Sequence, residues 1–297
     1  MLAFSNCGNP LRGVERIRMA DRSGWGRGLR VLAVANQKGG VGKTTTAINL
    51  GTALAAVGRP VVIVDLDPQG NASTGLGIGK GADDRSPSTL DVLMDRASLA
   101  EAVKPTGIPL LSIVPATGDL MAIEREVAAG QHRVYPLRNA LIEYAAHQQA
   151  NARGEAKTTY VLIDCPPSLN VLTINALSAA DAVLVPLQCE FFAMEGLAQL
   201  VRTINDVRER LNPALAIQGV VLTMHDKRNR LTHEVEENVR EALGEKVYST
   251  FIPRNVRVAE APSFGKPILL YDHLCEGSRA YIELASEVIK REQQLAA

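Results

Sequence analysis

The sequence predicts an α/β fold, a mostly parallel twisted sheet with helices on both faces. Three observations predict it. Apolar runs alternate with helical stretches along most of the 297 residues, and strand–helix–strand alternation calls for right-handed crossovers between parallel strands. Hydrophobic residues make up 46% of the chain but aromatics only 4%, so the core must be built from Val, Leu, Ile and Ala, as in a sheet buried on both faces. Lastly, a glycine-rich stretch, NQKGGVGKTTT at 36–46, follows the first convincing apolar run and opens a helix, the context in which such a loop binds phosphate.

Residues 1–29 hold glycines and arginines without a clear period and read as a flexible leader; residues 30–297 read as one domain. Met19 is a candidate second start inside the leader, and the alternative is a short basic arm that touches DNA or a partner. Runs at 31–35, 61–64, 110–114, 160–163, 182–185, 217–222 and 248–252 read as strands, and 44–57, 136–150, 192–211 and 232–243 as helices. The first helix has Gly58 at its C′ position and Pro60 just beyond. The stretch GKGADDRSPST, 79–89, reads as a mobile surface loop, and no repeat or interior Gly/Pro-rich linker divides the domain.

Lys plus Arg equals Asp plus Glu, 32 each. No global field draws the chain onto nucleic acid, so any such binding must come from a local patch. No run of 18 apolar residues occurs, so no membrane span is expected, and the leader lacks the apolar region of a secretory signal. The cysteines at 7, 165, 189 and 275 form no C-x-x-C pair, which favours reduced thiols in a cytosolic protein over a zinc or redox site.

Within the loop, Gly39, Gly40 and Gly42 let backbone N–H groups approach phosphate oxygens. The helix opening near Lys43 adds its positive end. Lys43 can reach the β- and γ-phosphates, and the Thr44 hydroxyl is placed for Mg²⁺. Gln37 stands where the usual pattern begins with glycine, and Lys38 supplies a second cation. In VVIVDLDPQGN, Asp65 and Asp67 are two apart and share a face at the carboxyl end of the sheet, where open α/β folds bind ligands; both capping a turn is the alternative. In YVLIDCPPSL, Asp164 ends an apolar strand as a candidate Mg²⁺ ligand through water. Pro166 and Pro167 bar a helix or central strand directly after it, and Cys165 reads as a small buried filler.

KGGVGKTTT resembles the deviant Walker A signature of the ParA/MinD group of P-loop ATPases. VPLQCEFFAMEGL, VVLTMHDKRNRLTHEV and FIPRNVRVAEAPSFGKPILLYD resemble its chromosomal ParA, or Soj, branch, and the likeness runs from about residue 30 to about residue 292. The resemblance implies a P-loop NTPase fold that binds ATP and Mg²⁺ and hydrolyses ATP. It implies nucleotide contacts from Lys38, Gly39, Gly40, Val41, Gly42, Lys43, Thr44 and Thr45, with Met224, Pro253 and Asn255 serving the base. Thr44 and Asp164 would hold the metal. Lys38, Lys43 and Asp67 would act in catalysis, with Asp67 in the first switch, placing the attacking water, and Asp65 a support for that loop. Lys38 would cross the interface of an ATP-dependent homodimer to the partner's triphosphate. Two nucleotides held face to face concentrate negative charge, and a cation from each copy offsets it.

Lys227, Arg228 and Arg230 cluster in one loop, and Arg254, Arg257 and Lys266 in another segment. From charge alone, a solvated loop is an equal alternative; the resemblance selects Arg228, Arg254 and Arg257 as DNA-binding residues. With no recognition helix or interleaved aromatics, binding would be sequence-independent and salt-sensitive. Implied partners are non-specific double-stranded DNA and a ParB-type centromere-binding protein, at a cytoplasmic, nucleoid-associated location. The rival is a MinD-like or cargo-positioning switch on a membrane or protein scaffold. Against it, the C-terminal YIELASEVIKREQQLAA has no Trp or Phe to seat in lipid and reads as a helix packed on its own domain. Cys165 and Cys189 do not match the cluster ligands of nitrogenase-type reductases, and the leader is too short for the helix-turn-helix domain of larger plasmid ATPases. The mass of the native protein decides the leader: a mature chain beginning before Met19 removes the second-start reading.

Overall fold

The computed structural model describes residues 28–123, 134–151 and 157–296; the expected leader lies outside them except for its last two residues. The strands are β1 (Leu29–Val34), β2 (Val61–Asp65), β3 (Lys104–Pro105), β4 (Leu111–Val114), β5 (Thr159–Asp164), β6 (Ala182–Gln188) and β7 (Ala216–Thr223). They form one sheet in the order β3-β4-β2-β5-β1-β6-β7. Every pairing is parallel except β3 with β4. The longer helices are α1 (Lys43–Ala56), α2 (Pro136–Asn151), α3 (Val171–Ala179), α4 (Ala193–Arg210), α5 (Arg230–Leu243) and α6 (Glu276–Ala296).

Successive side chains on a strand point to opposite faces, and here each face has its own core. Val31, Ala33, Val62, Val64, Val161 and Ile163 pack with Leu137, Leu177, Leu200 and Val239 of α2 to α5. Leu32, Val34, Val61, Ile63 and Leu162 meet Leu50 and Leu54 of α1 and Tyr281 and Leu284 of α6. The two helix types follow from position. α4 buries Leu197, Leu200, Val201, Ile204 and Val207 along one stripe, as a surface helix must. α1 is buried on nearly all sides because the sheet covers one flank and α6 the other. At the amino ends of the strands, Arg30 donates to Glu292 at 2.7 Å and Gln218 at 2.6 Å, while Tyr160 donates to Glu292 at 2.8 Å, tying β1, β5, β7 and α6 together.

Two expectations change, and one strand is new. Residues 248–252 are not a strand. They run beside β7 with Tyr248 N–H on the Val220 carbonyl and Ile252 N–H on that of Leu222, but only single bridges form, at Val247 and Pro253. Glu287 takes the N–H groups of Ser249 and Thr250 at 2.9 and 3.0 Å, withdrawing the donors a ladder would need. The antiparallel β3 was not foreseen; two residues, one a proline, leave no periodicity to read. The supposed mobile loop at 79–89 is fastened by the buried Arg85, which donates to the Gly79 and Ala116 carbonyls and to Thr74 Oγ1, each at 2.8 Å.

Gly219 of β7 leaves no room for a side chain: a Cβ there would lie 2.6 Å from the Tyr248 ring and 2.9 Å from the Lys246 carbonyl. Gly219→Ala should cost about 1–3 kcal/mol through overpacking. Gly107→Ala, where a Cβ meets nothing within 4 Å, should change stability by less than about 0.5 kcal/mol. Calorimetric unfolding of the two variants checks the contrast.

Candidate functional site

The site is assembled at the carboxyl ends of the central strands. β5 lies between β1 and β2, and the register sets Asp164 beside both Val34 and Asp65. The glycine-rich loop leaves β1 and enters α1 at Lys43, with Gly40 and Gly42 at φ 75° and 87°, a left-handed conformation that glycine adopts without strain. The loop is pinned from two sides. Thr223 Oγ1 donates to the Val41 carbonyl at 2.8 Å. Asn36 Nδ2 donates to the Pro186 carbonyl at 2.7 Å while its Oδ1 accepts the Lys38 N–H at 3.1 Å.

Lys43 is buried, and its amine donates to the Lys38 carbonyl at 3.0 Å. Burial pulls its pKa down; Asp164, Cys165 and Asp67 oppose that. Lys38 has its amine on the Glu190 carboxylate of the same chain. Asp164 is fully buried, and neither carboxylate oxygen has a hydrogen-bond partner. Burial, then the neighbouring Asp65, hold its pKa well above the usual carboxylate range, with Thr44 and Lys43 acting the other way. A buried, unpaired carboxylate is costly, and a divalent cation is the partner that removes the cost. The donor set therefore fits a hard cation held through Asp164 and the Thr44 hydroxyl. Among the described residues no group of three or more His, Cys, Asp or Glu is arranged to hold a metal, so phosphate oxygens and water would complete such a shell, as is usual for Mg²⁺.

Asp65 supports the next loop. Its carboxylate accepts from Ser73 N–H at 2.8 Å, Ser73 Oγ at 2.6 Å and Asp67 N–H at 3.3 Å, yet burial pushes its pKa up to about 6. Asp67 is buried and caps a turn, accepting the Gln69 N–H at 3.0 Å. Cys165 is a buried free thiol, pushed up by burial, the filler that was expected. Met224 directly follows Thr223 with φ 49°, and the bridge from His225 to Pro253 brings Met224 and the 253–255 turn to the same end of the sheet. Asn255 Oδ1 accepts the Arg257 N–H at 2.8 Å.

The basic residues divide into two sets. Arg228 and Arg254 line one groove of about 740 Å³ with Lys227 and Arg279, among acidic side chains that include Asp226, Glu276 and Glu283. Arg228 is 91% exposed and paired with Asp226 at 3.2 Å. Arg257 lies outside that groove's lining, on a short helical turn, with Glu260 at 3.3 Å and Asp272 at 3.8 Å. Sequence reasoning missed Thr223, Glu190 and Arg279. Each meets the site through a contact distant along the chain, 182 residues for Thr223 to Val41 and 152 for Glu190 to Lys38, and no local pattern records such a meeting.

A family model described as an AAA domain matches residues 29–217. The chain is 60% identical over 89% of its length, and 96% of the relative's, to the chromosome partitioning protein ParA of Caulobacter vibrioides NA1000. It is 48% identical over 87% of its length, and 98% of the relative's, to the sporulation initiation inhibitor protein Soj of Bacillus subtilis 168. Among solved structures it resembles a Mycobacterium smegmatis protein described as cobyrinic acid a,c-diamide synthase with bound ATP analogue and magnesium. That likeness has a TM-score of 0.73 and 36% identity, and covers 89% of this chain and 96% of that one. No helix among the described residues is long and apolar enough to cross a membrane.

The carboxylate cluster has a cost in the ligand-free chain that asparagine removes. Asp164→Asn should stabilise that form by about 1–3 kcal/mol while abolishing turnover. A carboxyl with a raised folded-state pKa keeps a proton that the unfolded chain has lost, so it destabilises the fold increasingly as pH rises above the unfolded value, about 3.9, until the folded carboxyl also ionises. The gain from Asp164→Asn should therefore be larger near pH 7 than near pH 5, as read from urea unfolding midpoints.

Proposed function

The chain belongs to the ParA/Soj family of chromosome-partitioning ATPases, and we propose that it uses ATP and Mg²⁺ to form a sandwich dimer that binds duplex DNA without regard to sequence, then releases it when a ParB-type partner stimulates hydrolysis. The observation that carries this reading is the loop with two cations. Lys43 is sunk among the carboxylates of its own site. Lys38 is partly exposed at the loop's rim, on a side chain long enough to serve a neighbour.

The reaction is attack of water on the γ-phosphorus of ATP, giving ADP and phosphate. Backbone N–H groups of Gly39 to Lys43 and the start of α1 hold the phosphates, with Val41 and Thr45 completing the cradle. Lys43 stabilises charge on the transferring phosphoryl group. Thr44 and Asp164 would hold Mg²⁺, which when bound would supply charge neutralisation for the phosphates. Asp67 orients the attacking water. Met224, Pro253 and Asn255 take the base. Lys38 serves the triphosphate of the second copy, so a lone chain holds an incomplete site and turns over slowly. Arg228, Arg254 and Arg257 supply the footing on DNA phosphates, and pairing doubles the basic surface offered to the nucleoid.

Lys38→Ala should keep ATP binding and lose ATP-driven dimers in sedimentation; a variant that still pairs and hydrolyses as the native chain does removes the cross-subunit role. The ATP-loaded protein should bind duplex DNA rather than anionic liposomes, and the reverse result overturns the reading. Arg254→Ala should lower the slope of log affinity against log salt by about 0.9, the share of one phosphate contact, with little dependence on DNA sequence.

A further inference from the structure

The contact between Lys38 and Glu190 is not explained by the ATPase cycle. Its partners are both held on β6 and the turn that follows. Asn36 anchors the Lys38 backbone to the Pro186 carbonyl. Glu190 sits two residues past the strand, with its N–H on the Gln188 carbonyl and its own carbonyl accepting from Ala193, both at 2.9 Å. The Lys38 carbonyl is engaged by Lys43, so the backbone faces the loop while the amine lies on the Glu190 carboxylate. Both side chains stay accessible, at 39% and 43%. Phe191 and Phe192 follow directly, edge to face at 5.0 Å and more than 60% exposed, an apolar surface suited to being covered by another protein surface.

We infer that Glu190 is a positioning residue for Lys38: in the unpaired chain it holds and neutralises the amine in cis, and the triphosphate of a facing copy must take the amine from it. This rests on the reading that Lys38 acts across the dimer. A half-exposed ion pair is weak, so it biases pairing rather than forbidding it. A single carboxylate yields to the several charges of a γ-phosphate-bearing nucleotide, and yields less to ADP. Release costs the same whichever nucleotide faces the amine, so Glu190 lowers pairing in both states, and the weaker ADP-bound pair is the first to fall apart at a given concentration.

The test is Glu190→Gln, which keeps the shape and removes the charge, with dimer dissociation constants measured by sedimentation in a non-hydrolysable ATP analogue and in ADP. The variant should pair about two- to fivefold more tightly than the native chain, and should show more dimer with ADP. The gain should shrink at high salt, where exposed pairs are screened. In the unpaired chain the Lys38 amine should react faster with an amine-acylating reagent in Glu190→Gln than in the native chain, a change that a merely structural Glu190 would not produce. If Lys38→Ala is defective but Glu190→Gln pairs no more tightly than the native chain, the latch is wrong and the cross-dimer role stands. If Lys38→Ala pairs normally, both are wrong.

Discussion

The structure turns on one carboxylate that the fold buries and leaves unpaired. Asp164 ends the central strand of a parallel sheet, flanked by the strand that feeds the phosphate loop and the strand that ends in Asp65. Its oxygens have no partner, and the carboxyl of Asp65 crowds it. Parallel strands end in register, so charges placed at their tips converge. The same geometry that makes the ligand-free site unfavourable makes it receptive to a cation. Stability in one state is lost in order that ligand binding restore it in another.

Around that point the chain is rigid where phosphate would be handled. Asn36 and Thr223 fix the loop to β6 and β7, Asp65 fixes the turn at Ser73, and Arg85 ties that turn to the Ala116 carbonyl. Most of these contacts are buried, and those of Asn36 and Thr223 join segments 150 and 182 residues apart, which is how a site can be built before its ligand arrives.

What the sequence made legible was local. The alternation of apolar runs placed β1, β2, β4, β5, β6 and β7 and the helices α1, α2, α4 and α5 within a few residues, since periodicity is a property of neighbours along the chain. The glycine loop, Asp65, Asp67 and Asp164 could be found because each ends an apolar strand. The run at 248–252 has the composition of a strand, and only Glu287, on a helix 37 residues later, denies it the pairing. Arg85 looked like part of a mobile surface loop because two of its three acceptors, Thr74 and the Ala116 carbonyl, lie outside that stretch. Arg228 and Arg254 meet in one groove, but the acids that accompany them, and Arg279 on α6, belong to three dimensions alone.

Thr223 has a wider consequence. Its hydroxyl holds the Val41 carbonyl, and two residues on, His225 exchanges backbone hydrogen bonds with the segment that carries Arg254. Phosphate loop and basic groove are thereby tied to the same three residues, 223–225, at the end of β7. In the dimer proposed above, two such grooves would act on one polymer together, and their joint hold would be lost when the copies part.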